Sequence, residues 1–296
     1  MVHLGANQYG KAEVRLVRVT RGAGPAGADL LRDWNVATSL SGDLADSHLT
    51  GSNAKVLPTD SQKNKVYALA KEIGGDVEPE AFARELGSFF VSSQEAIARA
   101  RVSIEEYGWA PVGATGYSFA RSGDLVRTTT VHVDSALGTS VVSGLRDLTL
   151  LNTTASEFWG YPKDQYTTLP ETKDRVLATS VTAAWRFRPE AVAAGVDWGA
   201  AFSLAKSAIV ATFAATYTYS LQQMLYAIGA AVLGALPEAC EVRLALPNRH
   251  HYLVDLAPFG LSNDREVYLA GDRPYGLIEG TVLADDAPDD GGLAWA

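Results

Sequence analysis

The chain has 296 residues, of which 47% are apolar and 20% charged, with a formal net charge of −9 at neutral pH. That is ample for a full hydrophobic core and excludes an intrinsically disordered chain. One cysteine, Cys240, excludes an internal disulfide framework and a Cys-ligated structural zinc; five histidines leave little for a multi-His metal centre; the acidic balance argues against nucleic acid or an anionic membrane as the main partner.

Residues 1–10 hold no apolar signal-peptide core and the sequence does not close on Ser-Lys-Leu, so a cytoplasmic location is the expectation. Residues 11–20 alternate, with Ala12, Val14 and Leu16 against Glu13 and Arg15, which predicts a half-buried strand. Gly22-Ala23-Gly24-Pro25-Ala26-Gly27 then fits a dinucleotide-binding spacing, with Asp43 about twenty residues further on. The apolar pattern after Gly27 lasts only to Trp34, too short for the crossover helix such a site needs, so a hairpin connection is expected instead. An extended stretch covers 34–49. Residues 59–72 have helical spacing, with Val66, Leu69, Ala70 and Ile73 on one face and Gly74 as the stop. A second helix over 78–90 carries Phe82, Leu86 and Phe89, and strands are predicted over 97–110 and 125–134.

After a Ser/Gly/Thr break at 135–139 the same order begins again. Strands are predicted over 141–151 and 181–187, helix over 200–236 with an interruption near 217–220, and strands over 241–256 and 266–270. The expectation is an α+β protein of two antiparallel units, 1–137 and 138–296, sharing one continuous surface, with a frayed acidic tail. No charge occurs between Lys206 and Glu238, a span long enough to cross a bilayer. Its middle holds Thr216, Tyr217, Thr218, Tyr219, Ser220, Gln222 and Gln223, groups that lipid would leave unpaired, so a buried helix is expected and not a membrane span.

Several residues carry chemistry with a plainer reading beside it. His250 and His251 are adjacent on a strand and point to opposite faces, so they do not share an ion, although either suits proton transfer. Thr59-Asp60-Ser61-Gln62 reads as a capping box, while free amides at the same helix start also suit an electron-rich ligand. Lys11 is a solvated edge charge or, if buried, a base with a lowered pKa. Arg175 sits in a charged stretch, Phe158-Trp159 has the composition of core, and one of Gln222 and Gln223 faces a polar pocket, because a buried amide without partners costs about 1–3 kcal/mol.

Together these stretches resemble the urate oxidase (uricase) family. The matching segments are Tyr9-Gly10-Lys11, Thr59-Asp60-Ser61-Gln62-Lys63-Asn64, Ser156-Glu157-Phe158-Trp159-Gly160, Tyr166-Thr167-Thr168-Leu169, Asp174-Arg175-Val176-Leu177, Ser220-Leu221-Gln222, Leu246-Pro247-Asn248-Arg249-His250 and Asp272 to Glu279, in the family's order. The resemblance implies the tunnelling fold (T-fold), with two β-β-α-α-β-β units per subunit, helices on one face of the sheet, and a homotetramer around a central tunnel. It implies oxidation of urate by dioxygen and water to 5-hydroxyisourate and hydrogen peroxide, with no metal and no organic cofactor, at sites shared across subunit interfaces. Carried over by position, Arg175 and Gln222 grip the purine and Phe158 stacks on it. Leu221 and Asp60 offer backbone amides, and Leu169 lines the pocket. Lys11 and Thr59, hydrogen-bonded together, form a proton relay with His250, and Asn248 with Thr59 holds dioxygen and later water. The alternatives are a T-fold purine- or pterin-ring hydrolase, for which the Cys/His metal cluster is missing, and a silent purine-binding assembly. Pro58, Asn152 and Arg249 depart from the family's usual residues.

Overall fold

The computed structural model describes residues 2–271, 273–289 and 292–295; Asp272, which opens the last family-like stretch, lies outside the described residues, as do Asp290, Gly291 and Ala296 of the tail. The first half runs β1 (Tyr9–Thr20), β2 (Leu30–Gly42), α1 (Ala45–Leu49), α2 (Thr59–Glu72), α3 (Pro79–Ser93), β3 (Ile97–Pro111) and β4 (Phe119–Asp134). The second runs β5 (Gly138–Asn152), β6 (Leu177–Phe187), α4 (Pro189–Ala194), α5 (Trp198–Ala215), α6 (Leu221–Ala235), β7 (Ala239–Arg249), β8 (His251–Leu253), β9 (Tyr268–Ala270) and β10 (Gly276–Leu283). Eight strands make one antiparallel sheet in the order β1-β2-β3-β4-β5-β6-β7-β10, and β8 pairs with β9 in a small ribbon beside it. The fold is α+β, with strand, strand, helices, strand, strand occurring twice. The break at 135–139 is a tight hairpin turn: Asp134 pairs with Gly138, and its carboxylate accepts from the amides of Ala136 (2.8 Å) and Leu137 (2.9 Å).

Alternation decides which face the helices cover. Along β3 the side chains of Ala100, Val102 and Ile104 are buried, while Arg99, Arg101 and Ser103 between them are only partly covered. One continuous core joins the halves, anchored by Trp34, Phe82 and Phe90 in the first and Trp185, Phe187 and Phe213 in the second. A buried polar cluster crosses the same seam. Glu80, fully buried on α3, accepts from Arg127 (2.8 Å) and Thr129 (3.0 Å) on β4 and from Ser143 (2.6 Å) on β5. Arg127 also donates to the carbonyl of Trp198 on α5 and lies over the Phe202 ring. Every strong demand of this buried carboxylate is therefore met by a named donor, as burial of a charge requires.

The helix over 59–72 and the interruption between α5 and α6 lie where hydrophobic spacing predicts them. Other boundaries differ. β4 starts at Phe119, the stretch from 34 ends its strand at Gly42 and then turns into α1, and 241–256 divides at His250 into β7 and β8. β10 escapes the sequence pattern because Gly276 and Gly280 interrupt its alternation. The capping box is not formed: Pro58 is the cap residue of α2 and Thr59 is already helical, with no side-chain cap bond. Gln62 turns inward instead, fully buried, and its oxygen accepts from Thr38 on β2 at 2.8 Å. Trp159 is not core either, being about half exposed. The tail is docked rather than frayed. Leu293 and Ala294 are buried, Arg243 lies 3.8 Å over the Trp295 ring, and Arg186 donates to the carbonyl of Pro288 at 2.9 Å. The apolar run Leu293-Ala294-Trp295 gives the acidic segment surface to bury. Among the described residues α5 alone is long and apolar enough to cross a membrane; its Ala201, Ala205, Ile209 and Phe213 pack into the core.

Candidate active site

In the second half, a short irregular scaffold outside the main sheet positions four of the expected residues. The segment around Ser156 lies between two others. On one side, Phe158 exchanges both backbone bonds with Thr172 (2.8 and 3.0 Å), and the Arg175 amide donates to the Ser156 carbonyl (2.9 Å). On the other, Ser156 bridges Thr218, with Glu157 donating to the Thr218 carbonyl (2.8 Å). Thr218 stands three residues before Leu221, the first residue of α6, whose first turn also carries Gln222. The backbones of Arg175 and Thr218 are thus held on opposite sides of one strand-like segment, about 10 Å apart by ordinary strand spacing.

Each side chain has a distinct setting. Arg175 is partly buried; its Nε–H donates to the Ser156 hydroxyl at 3.1 Å, and among the described residues no carboxylate pairs with it. Burial holds its guanidinium below the usual arginine range. The guanidinium carbon lies 5.1 Å from the Phe158 ring centre, and Tyr161 stacks on that ring at 4.8 Å while donating its hydroxyl to the Leu169 carbonyl at 2.6 Å. Leu221 is buried at the start of α6. Gln222 is exposed and makes no hydrogen bond within the described residues, whereas Gln223 is consumed by the turn, accepting from the Tyr219 amide at 2.9 Å. Ser220 caps α6 by accepting from the Gln223 amide.

Asn248 sits near the end of β7, between Thr179 on β6 and Gly276 on β10, and that glycine presents no side chain beside it. His250 follows the strand and stacks on Tyr252 at 5.7 Å. Burial, reinforced by the Arg175 charge and by His251, lowers its pKa below the ordinary histidine value. The Arg175 field at His250 places these two residues in one neighbourhood. His251 is engaged separately, its Nδ1 lying 3.1 Å from the Arg249 carbonyl.

Lys11, Thr59 and Asp60 form a second cluster in the first half. Lys11 lies on β1, the sheet's edge, where Gly10 approaches β2 so closely that a Cβ would stand 1.8 Å from the Thr38 carbonyl oxygen. A bulge follows between Lys11 and Val14, with Glu13 at φ +57°. Such an irregularity re-aims the neighbouring side chains of an edge strand. Tyr9 donates to the Leu57 carbonyl at 3.1 Å and so ties this strand to the approach to α2. Asp60 is held below the usual carboxylate range chiefly by its hydrogen bond to Lys63, then by the charges of Lys63 and, more weakly, Lys11. The Lys11 amide donates to the Thr38 hydroxyl at 3.3 Å, and no hydrogen bond joins Lys11 to Thr59.

The chain does not bring the two clusters together. β1 and β7 are six strand steps apart, roughly 29 Å measured across the sheet at ~4.8 Å per step. Among the described residues, no group of three or more His, Cys, Asp or Glu converges in a manner that would hold a metal ion.

The uricase family model matches residues 7–132 and 141–279. The chain belongs to the uricase family. Uricase of Arthrobacter globiformis is 42% identical over 289 residues, covering 98% of this chain and 92% of the relative; that of Dictyostelium discoideum is 35% identical, covering 95% and 98%. The crystal structure of the Arthrobacter globiformis uricase superposes with a TM-score of 0.91 at 41% identity, covering 98% and 97% of the two chains. A urate oxidase structure from Bacillus sp. TB-90 shares the fold at 24% identity, with a TM-score of 0.79 over 94% and 100%.

Within this uricase framework the sequence reading missed the buried polar pair Ser156 and Thr218, both fully covered. The signal available was the polar run 216–220 inside an apolar stretch, which marks the helix break but not its partner sixty residues earlier. Two departures have structural roles: Pro58 opens α2, and Asn152 donates to the Phe213 carbonyl at 2.9 Å, tying the end of β5 to α5.

Proposed function

We propose that the two clusters are the halves of one active site completed between subunits, and that there the protein converts urate, dioxygen and water to 5-hydroxyisourate and hydrogen peroxide. The observation that carries this reading is the Arg175 fork: partly buried, oriented through Nε, and without a carboxylate partner among the described residues. Such a group is costly to keep desolvated unless an anion arrives. Urate is a planar anion whose carbonyl and ring nitrogen fit two parallel donors. Gln222, unpaired across the scaffold, reads donor and acceptor on the opposite edge, and Phe158 stacks on the ring. Leu169 lines the pocket, and backbone amides of Leu221 and Asp60 complete the in-plane contacts.

The first-half cluster contributes proton chemistry. Lys11 and Thr59, from one subunit, form the relay that deprotonates bound urate, with His250 of the second half as its third member. His250 suits that part because its depressed pKa leaves it neutral and able to accept a proton near neutral pH. Asn248 and Thr59 hold dioxygen above the ring and then the water that attacks the oxidised intermediate. The urate anion supplies both electrons, which leave as peroxide, and the reaction is written with no metal or organic cofactor. Orientation and exclusion of bulk water are the protein's part. A homotetramer is favoured by the outer edges of β1 and β10, which pair with no other strand among the described residues. The test is the loss of urate absorbance under oxygen with peroxide recorded, with and without a chelator. One peroxide per urate, unaffected by the chelator, is the expected result. Tight urate binding without turnover, or turnover abolished by the chelator, contradicts it.

A further inference from the structure

We propose that Ser156 is the positioning residue of the anion receptor: it fixes the plane of the Arg175 guanidinium without neutralising it. The inference rests on the reading of Arg175 as the urate-binding fork. Arginine has five N–H donors in one rigid plane, and a bond to Nε leaves the two terminal amino groups side by side and directed away from the holder. Ser156 makes that bond at 3.1 Å while its own carbonyl accepts from the Arg175 amide at 2.9 Å, so side chain and backbone of one residue clamp the head and root of the arginine. Its side chain is fully buried, and the segment that carries it is bonded to Thr172 on one side and Thr218 on the other. The hydroxyl is therefore a fixed point and not a mobile surface group.

The chemical identity of the holder matters as much as its place. Three other buried or partly buried arginines are held by carboxylates: Arg32 by Asp76, Glu78 and Glu106, Arg127 by Glu78 and Glu80, Arg186 by Glu241. Arg175 is held by a neutral acceptor instead. A carboxylate at residue 156 would orient the fork equally well but cancel the charge that an anionic ligand must find. Serine orients and leaves the positive charge whole.

Three variants, assayed for urate binding under anaerobic conditions across a range of salt concentrations, test this. Ser156→Ala frees the fork to rotate and is expected to weaken binding roughly tenfold, the effect of one hydrogen bond, with the salt dependence of binding retained. Ser156→Asp keeps the fork oriented but neutralises it, and is expected to weaken binding further and flatten the salt dependence. A merely structural serine would shift the thermal midpoint of both variants and leave the salt dependence unchanged. Arg175→Ala separates the two readings. If it binds urate as the parent does, the receptor assignment fails and this inference with it. If it loses affinity while Ser156→Ala binds normally, the positioning role alone is overturned. Asp binding urate as well as Ala overturns the charge argument in the same way.

Discussion

In the second half of the protein the charged group of the site has no opposite charge beside it among the described residues: Arg175 is partly buried, and its side chain donates to the Ser156 hydroxyl. In the first half the charges are balanced: Asp60 is exposed, bonded to Lys63 at 2.5 Å, and within the field of Lys11, which like Arg175 is partly buried. The contrast matches two tasks. A receptor for an anion needs a desolvated charge with no competing partner, because water and counter-charges weaken the attraction. A proton relay needs side chains near solvent that change protonation without stranding a charge. On the proposed function, the second copy of the β-β-α-α-β-β order carries the receptor and the first supplies Lys11 and Thr59 to a relay that His250 of the second completes.

The largest effect that sharpens this division is expected on turnover. Lys11→Met and Thr59→Val should each lower kcat by about 10²- to 10⁴-fold with the urate KM nearly unchanged, the pattern of lost acid–base catalysis. Steady-state kinetics checks it, and a parallel loss of urate affinity would make the first half part of the receptor. Next is the seam between the halves. Glu80→Ala leaves Arg127 its Glu78 partner but takes the buried acceptor from Arg127, Thr129 and Ser143 together, and should cost about 3–5 kcal/mol in denaturant unfolding at ~1–3 kcal/mol per buried group left unpaired, with one transition rather than two. Separate transitions would show the halves to be independent units. Arg175→Ala removes two charged hydrogen bonds and should weaken urate binding by about 3 kcal/mol, on the order of a hundredfold, while kcat at saturation falls less.

The smallest expected effect is on pH dependence. His250 has a pKa lowered by burial and then by the Arg175 charge, so its protonated form is disfavoured in the folded protein. Its contribution to stability is complete above the ordinary histidine value of about 6.5 and is lost as pH falls through the lower folded value. An NMR titration of His250 should therefore have its midpoint below that value, and Arg175→Ala should move it part of the way back. A midpoint at or above the ordinary value would detach His250 from the receptor.

How far the sequence reaches is clearest residue by residue. Helix α2 and the break at 216–220 follow from local spacing and polarity, and both are found. Thr59-Asp60-Ser61-Gln62 has the letters of a capping box, yet Pro58 takes the cap and the buried Thr38 draws Gln62 inward, a contact across 24 residues that no local pattern contains. The bulge that sets Lys11 on the edge strand depends on a left-handed Glu13, a conformation its side chain does not advertise. Helical phase and the family resemblance favour Gln222 over Gln223; the structure commits Gln223 to the turn and leaves Gln222 without a hydrogen bond among the described residues. Arg175 looks like one more solvated charge until the two flanking segments and Ser156 are assembled around it.

The central claim, one site made from the first half of one subunit and the second half of another, is tested most directly by complementation. Lys11→Met and Arg175→Ala subunits, each inactive alone, are mixed in equal amounts, co-refolded, and assayed for urate oxidation. Random assembly places an intact Lys11 beside an intact Arg175 in about a quarter of the sites, so activity near that fraction of the parent is expected. If every mixture stays as inactive as its components, the site lies within one chain and the account is wrong.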